Sequence, residues 1–510
     1  MTIHLSIVLF LPLACGLVAA LLPGRAARSA VLAGPLAVLA YVIVMLVDFE
    51  TGGGLQWVTN DEWISELGIS YKLGVDGLNL FLIALTAIGW VACTFVAAFS
   101  VVDRPRQFFF HLALAETAVL GAFMAQDLAL FIVFFDLMLV PFYFLIGGWG
   151  TGERVRATTK FVIYTLSGSL LMMAAAIALG VLATPDGGEI SFALSDLANR
   201  PVAAGSQHWI VLLFALAFFV KAPLFPLHGW IPETYRSTSI PVLALLSGVL
   251  SKVGVYGFLR IVLPVMPDGA EYWQELFIIL AVFSILYGSI LAFSQDNIRL
   301  VLAYSSIAQL GFIVLGIFAL EEKGAQGALF QMLNHGLVVV PLFLIIGVIA
   351  VRAGGSESIA ELGGMAFRAP VLAAVFLITA LATLAMPGSG NFIGEILILF
   401  GTFENKLAYG LVAAIGVVLA AVYMIRLYQG TMHGRVGPAV ESREIDRLHL
   451  SALVPLVAVV IALGLYPNFV VHRTERATTA AISQARAVGA AQQAGAPQQA
   501  TAAREVSEIP

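Results

Sequence analysis

Charge is scarce in this chain. Only 11% of its 510 residues are Asp, Glu, Lys or Arg, where a soluble domain carries about 25%. Apolar residues make up 60%, which excludes a soluble enzyme and leaves an all-α polytopic membrane protein. Cysteine is nearly absent. Cys15 and Cys93 both fall inside apolar runs, and two thiols cannot build a four-cysteine cluster site. Haem-attachment and CxxC patterns are missing too, so no bound redox cofactor is expected in this chain, and redox chemistry tied to it belongs to another subunit. There is no Walker A loop and no GxGxxG in a strand–helix setting, which sets aside ATP-driven transport. No metal site or nucleic-acid partner is expected; the lipid bilayer is. The opening MTIHLSIVLFLPLACGLVAALL lacks a basic region and reads as a retained first span rather than a cleaved signal.

What is present is a series of apolar runs of the length that crosses a bilayer. Fourteen are expected, at 3–22, 29–48, 76–99, 108–125, 128–149, 157–183, 208–229, 240–263, 272–294, 298–319, 325–351, 370–401, 406–428 and 450–470. Loops after odd-numbered spans hold most of the basic residues, among them Arg25, Arg104, Arg154, Arg236, Arg299 and Arg352. Loops after even-numbered spans hold Lys72, Arg200, Lys323 and Lys406. By the positive-inside rule both termini lie outside the cytoplasm of a bacterial cell. The acidic loop 50–75 alternates enough to predict a short hairpin on the outer side. Residues 1–470 form the membrane domain. The last forty residues, 471–510, are rich in Ala, Gln and Arg and read as a frayed or disordered tail.

Two spans are interrupted. Pro223 and Pro226 follow Lys221 in span 7, and Pro387, Gly388, Ser389 and Gly390 precede Glu395 in span 12. Proline removes a backbone donor, and in lipid this is tolerated only where protein or a hydrated cavity satisfies the freed groups. Broken spans in corresponding positions point to inverted repeats with an ion site between them. Spans 4–8 and 9–13, about 108–263 and 272–428, are the expected five-helix repeats.

The scarce intramembrane charges recur through these repeats. Glu116 lies in span 4, Asp136 in span 5, Lys221 in span 7, Lys252 in span 8, His335 in span 11 and Glu395 in span 12. A charge at the bilayer centre costs roughly 2.5–3.5 kcal/mol on insertion scales. An acid beside a lysine favours both charged forms while desolvation opposes them, a balance suited to proton exchange. No soft or multi-oxygen ligand cluster accompanies them, so protons fit better than metal ions. The competing readings are structural: an interhelical ion pair for Asp136 and Lys221, packing hydrogen bonds for His335 and Glu116, and an inert buried acid for Glu395.

Several motifs carry a family resemblance across residues 71–470: YKLGVDGLNLFLIALTA at 71–87, DLMLVPFYFLIGGWG at 136–150, VKAPLFPLHGWIPE at 220–233, LSGVLSKVGVYGFLRIVLP at 246–264, LAYSSIAQLGF at 302–312 and MPGSGNFIGEILILFGTF at 386–403. The chain resembles the antiporter-like M-type subunits of proton-pumping NADH-quinone oxidoreductase, respiratory complex I. Glu395, where L- and N-type subunits carry lysine, points to the M type. The resemblance implies a coupling pair from Asp136 and Lys221, a relay through Lys252 and His335, and a terminal proton site at Glu395. It implies L- and N-type neighbours, with FMN and Fe–S clusters in other subunits of the complex. Three positions depart from the family: Asp136 stands for a glutamate, Gln309 for a histidine in span 10, and Tyr235 for a histidine after span 7. A subunit of a multi-subunit cation/proton antiporter, a subunit of a membrane-bound hydrogenase, and a scaffold without proton chemistry are the alternatives.

Overall fold

The computed structural model describes residues 4–441 and 443–493. Its helices follow the apolar runs in order: α1 Leu5–Leu21, α2 Gly24–Asp48, α3 Leu80–Phe99, α4 Pro105–Met124, α5 Leu128–Trp149, α6 Arg154–Leu182 and the first half of α7, Ala204–Lys221. There follow α8 Ile240–Val265, α9 Gln274–Ser294, α10 Ile298–Phe318, α11 Glu322–Arg352, the halves of α12 at Pro370–Thr383 and Gly390–Asn405, α13 Leu407–Met432 and α14 Arg447–Leu465. Twelve are long and apolar enough to cross a membrane; α1 and the two halves of α12 complete the fourteen expected spans.

The packing is layered by burial. α8 is buried along its whole apolar window, α10 over 94% of it and α11 over 89%. α2 and α13 are each only 33% buried and turn apolar faces outward, as lipid-facing helices do. Of the polar residues singled out by sequence, Lys252 and His335 lie on these buried helices, and Glu116, Lys221 and Glu395 are themselves buried on their neighbours.

Between α2 and α3 the chain forms the expected hairpin. Strand β1, Gln56–Ile64, pairs antiparallel with β2, Ile69–Val75, through a turn closed by Gly68 in the left-handed region. Hydrogen bonds tie Phe192 N to Gly68 O and Gln126 N to Lys72 O. The hairpin, the α4–α5 turn and the loop after α6 thus share one face, as loops after even-numbered spans must.

The tail reading fails for residues 471–493. Asn468–Gln493 is a helix, α15. Val470, Thr474, Thr478, Ile482 and Ala485 are buried at helical spacing, so it is amphipathic and docked, not frayed. Tracking long apolar runs missed it because its outer face is polar. Residues 494–510 of that expected tail lie outside the described residues.

Candidate functional site

The break in α7 follows from its prolines. Lys221 ends the helix, and Pro223 has no N–H to continue the ladder. The loosened backbone finds partners nearby: Trp230 Nε1 donates to Val220 O at 3.0 Å and Phe225 N to Ser284 Oγ at 3.0 Å. A short helix, Ile231–Ser237, then restarts the chain. Lys221 is 3% exposed. Its Nζ donates to Phe135 O at 3.1 Å and lies 4.3 Å from the centre of the Phe135 ring.

Asp136 sits beside Phe135 where α5 is irregular at Met138. Pro141 is the physical cause, since it cannot donate to the carbonyl of Leu137. Asp136 and Lys221 lie close in the fold without a direct ion pair among the described residues. Lys221 takes the Phe135 carbonyl instead, and Asp136 Oδ1 has no hydrogen-bond partner among the described residues.

Lys252 lies between two π-helical turns of α8, Leu246–Leu250 and Phe258–Val262. Such turns disturb the ladder and often mark functional positions. Here the Ser247 carbonyl accepts from Lys252 Nζ at 2.8 Å and from Ser251 Oγ at 2.8 Å. Ser251 Oγ also accepts from Lys252 Nζ, at 3.2 Å. Lys252 is fully buried, and Ser247 Oγ meets Ser306 Oγ of α10 at 3.2 Å.

His335 on α11 is also fully buried, and neither ring nitrogen has a hydrogen-bond partner among the described residues. One turn earlier, Gln331 Nε2 donates to Gln309 Oε1 at 2.7 Å, and Gln309 Nε2 donates to Glu395 Oε1 at 2.8 Å. Glu395 is 2% exposed, and its Oε2 is unpartnered among the described residues.

The second half of α12 reaches this place through the Gly/Pro break. Gly388 has φ +96°, a conformation that favours glycine. Ser389 Oγ then caps the restarted helix by accepting from Phe392 N at 3.3 Å, an N-cap role suited to serine. A Cβ on Gly394 would stand 2.3 Å from Gln331 Oε1, so glycine lets α11 and α12 approach until their polar side chains meet.

Lys252, His335 and Gln309 thus lie on α8, α11 and α10, Glu395 joins Gln309 from α12, and Lys221 takes the carbonyl of the residue before Asp136. Glu116 faces elsewhere. It is fully buried, both carboxylate oxygens are unpartnered among the described residues, and its neighbours Gly16, Val31, Trp90 and Thr94 belong to α1, α2 and α3. Tyr235 is buried next to Ser247. Sequence reading passed over Gln331, Ser305 and Tyr423, although Ser305 Oγ and Tyr423 OH lie 2.9 Å apart. None of the three carries a charge, and only the distances mark them.

Residues 125–421 match the family described as NADH:quinone oxidoreductase/Mrp antiporter, TM. NADH-quinone oxidoreductase subunit M of Rickettsia typhi is 34% identical over 480 residues, covering 92% of this chain and 96% of its own length. Subunit M of Mycobacterium tuberculosis is 37% identical over 510 residues, covering 91% of each. A chain of respiratory complex I from Thermus thermophilus with bound NADH superposes with TM-score 0.87 at 29% identity, over 94% of this chain and 100% of that one. A chain of the Mrp complex from Dietzia sp. DQ12-45-1b shares the fold at 21% identity and TM-score 0.81, over 94% of this chain and 99% of that one. With its fourteen spans and two broken helices, the chain belongs to the NADH:quinone oxidoreductase/Mrp antiporter family of membrane subunits, alongside the M subunits of NADH-quinone oxidoreductase.

Proposed function

We propose that this chain is the M-type, proton-translocating membrane subunit of an NADH-quinone oxidoreductase. The observation that carries this reading is the placement of the buried ionisable groups. Lys221 ends one broken helix, Lys252 lies between two π-helical turns, and Glu395 stands five residues beyond the Gly390 that restarts the second broken helix. Backbone irregularity at membrane depth is costly unless it serves a buried polar site.

In this reading NADH is oxidised and quinone reduced in other subunits, which carry the FMN and Fe–S clusters, and this chain performs no redox step. Energy from that reaction changes the distance between Asp136 and Lys221. The proton affinity of Lys221 depends on that distance, so movement there passes a proton toward Lys252 and on to Glu395. The two halves act as inverted repeats, 108–263 and 272–428, each with one broken helix. L- and N-type subunits are the expected neighbours. The basic loops face the cytoplasm of a bacterial cell, and both termini lie on the outer side of its membrane.

Substituting Lys221→Ala should lower proton pumping driven by NADH oxidation in inverted membrane vesicles, with the complex still assembled. Normal pumping by that assembled variant would rule out the role given to Lys221.

A further inference from the structure

Cations are stabilising at the C-terminal end of a helix and anions at the N-terminal end, because of the helix dipole. Two helices on the face opposite the hairpin reverse this. Arg25 stands in the first turn of α2 with Arg28 just beyond it, and Arg106 stands in the first turn of α4. Neither first turn contains an acid, and neither helix has a side-chain cap. Their first N–H groups therefore add to the positive charge rather than being satisfied by a carboxylate.

The starts of α2 and α4 meet around one cavity of about 520 Å³, between the α1–α2 turn and the α3–α4 loop. Arg25, Arg28 and Arg106 line it, and Leu22, Val31 and Phe109 are apolar walls. The Arg28 guanidinium lies 4.8 Å from the centre of the Phe99 ring. None of the three guanidinium groups has an ion pair or hydrogen bond among the described residues. Other cations of this face do find acids: Lys160 pairs with Glu233 at 2.7 Å, Arg299 with Glu357 at 2.5 Å and Arg426 with Asp296 at 3.1 Å. Asp103, the acid next in sequence to α4, lines a neighbouring cavity with Trp149 and Arg154.

The positive-inside bias accounts for the sign of these charges. It does not account for three unpaired cations sharing one cavity with two helix N-termini. An anion in that cavity accepts from guanidinium and first-turn N–H groups together. The walls decide which anion. Free phosphate gains nothing from Leu22, Val31 and Phe109, whereas a phospholipid sets its phosphate beside apolar carbon. Next to the cavity, α1 turns Val18 and Leu21 outward at 49% and 83% exposure, and basic pockets between transmembrane helices take such headgroups. We infer that the cavity bounded by Arg25, Arg28 and Arg106 binds the phosphate headgroup of an anionic glycerophospholipid. The site stands apart from the buried groups proposed for proton transfer and needs none of them.

Amide exchange in the assembled complex, washed of lipid and returned to nanodiscs, tests the site. Adding phosphatidylglycerol to phosphatidylcholine discs should slow exchange several-fold over 24–28 and 106–108. Exchange over 434–440, a loop on the same face away from the cavity, should not change. The combined Arg25→Gln, Arg28→Gln, Arg106→Gln variant should lose the slowing, and Arg106→Gln alone should lose part of it. Full slowing in Arg106→Gln would overturn the site even where the triple variant fails to assemble. Equal exchange with and without phosphatidylglycerol would also overturn it, and is the result an acidic segment of a neighbouring subunit in the cavity would give. Inorganic phosphate added to phosphatidylcholine discs should have no effect; slowing as large as that from phosphatidylglycerol would replace the lipid with a free anion. Slowing that extends to 434–440 would assign the effect to membrane surface charge and remove the site.

Discussion

Gln309 shows what one side chain decides here. Its amide accepts from Gln331 and donates to Glu395, so it satisfies one oxygen of a buried acid and one donor of a buried amide. Gln309→Leu would strip both partners while roughly keeping volume. Leaving a buried polar group unsatisfied costs about 1–3 kcal/mol, so the purified complex should lose thermal stability; an unchanged melting profile would show that other groups or water replace the amide. Asp136 makes the complementary case. Asp136→Glu keeps the charge and lengthens the side chain by one methylene, and should keep pumping, whereas Asp136→Asn should lose it. At this scale sequence was a good guide to charge and a poor one to neutral partners. Lys221, Lys252 and Glu395 stand out because charge in an apolar run is costly. Gln331, Ser305 and Tyr423 cost little alone and are defined by neighbours distant in the chain.

Elements place those side chains by being broken in particular ways. The breaks of α7 and α12 were legible because proline and glycine have unambiguous backbone consequences. The π-helical turns around Lys252 were not, since no residue pattern in α8 announces them. Packing across the first break is close enough to test. A Cβ on Gly254 of α8 would lie 2.6 Å from the Phe218 carbonyl and 3.1 Å from Ala222 Cβ. Gly254→Ala therefore forces α8 from the end of α7, and overpacking of this kind costs about 1–3 kcal/mol; assembled yield and thermal stability should both fall. The start of α12 depends on a loop outside the membrane. Glu444 accepts from Val371 N at 2.9 Å, Leu372 N at 3.1 Å and Ile445 N at 2.7 Å. Burial pushes its carboxyl upward, but these N–H groups and Arg352 outweigh that and hold it below the ordinary value of 4.5. A depressed folded pKa gives stability that is present above the unfolded pKa and is lost as pH falls through the folded one. Amide exchange at Val371 and Leu372 should be slow at neutral pH, should quicken as pH drops below about 4.5 relative to unfolded-peptide rates at the same pH, and should be quick at neutral pH in Glu444→Ala. Equal protection in that variant would remove the capping role.

Across the whole molecule, the span count and the β1–β2 hairpin were legible because apolar length and alternation depend only on local sequence. α15 was not, because its stability comes from what it lies on. It lies along the hairpin's face, where Arg476 donates to Gly52 O, and fastens the beginning of α11. Gln326 Nε2 donates to Val471 O at 3.0 Å, and Arg486 pairs with Glu321 at 3.0 Å and with Glu322 at 3.1 Å. The same stretch of α11 packs against the second half of α12, where a Cβ on Gly327 would stand 2.7 Å from Ile398 N. Fastening α11 therefore fixes the register that brings Gln331 and Gln309 to Glu395. The pair with exposed Glu322 contributes little, since exposed pairs are typically worth about 0.2–1 kcal/mol, and buried Glu321 keeps Asn405 Nδ2 as a donor when Arg486 is removed. The buried row of Val470, Thr474, Thr478, Ile482 and Ala485 carries most of the docking. Arg486→Ala should thus leave pumping almost unchanged. A chain ending at Pro467 should show faster amide exchange over 322–334 and lower pumping per NADH oxidised in whatever complex assembles. If exchange over 322–334 is as slow in the shortened chain as in the full one, α11 is held by its neighbours in the membrane and α15 has no part in placing Glu395.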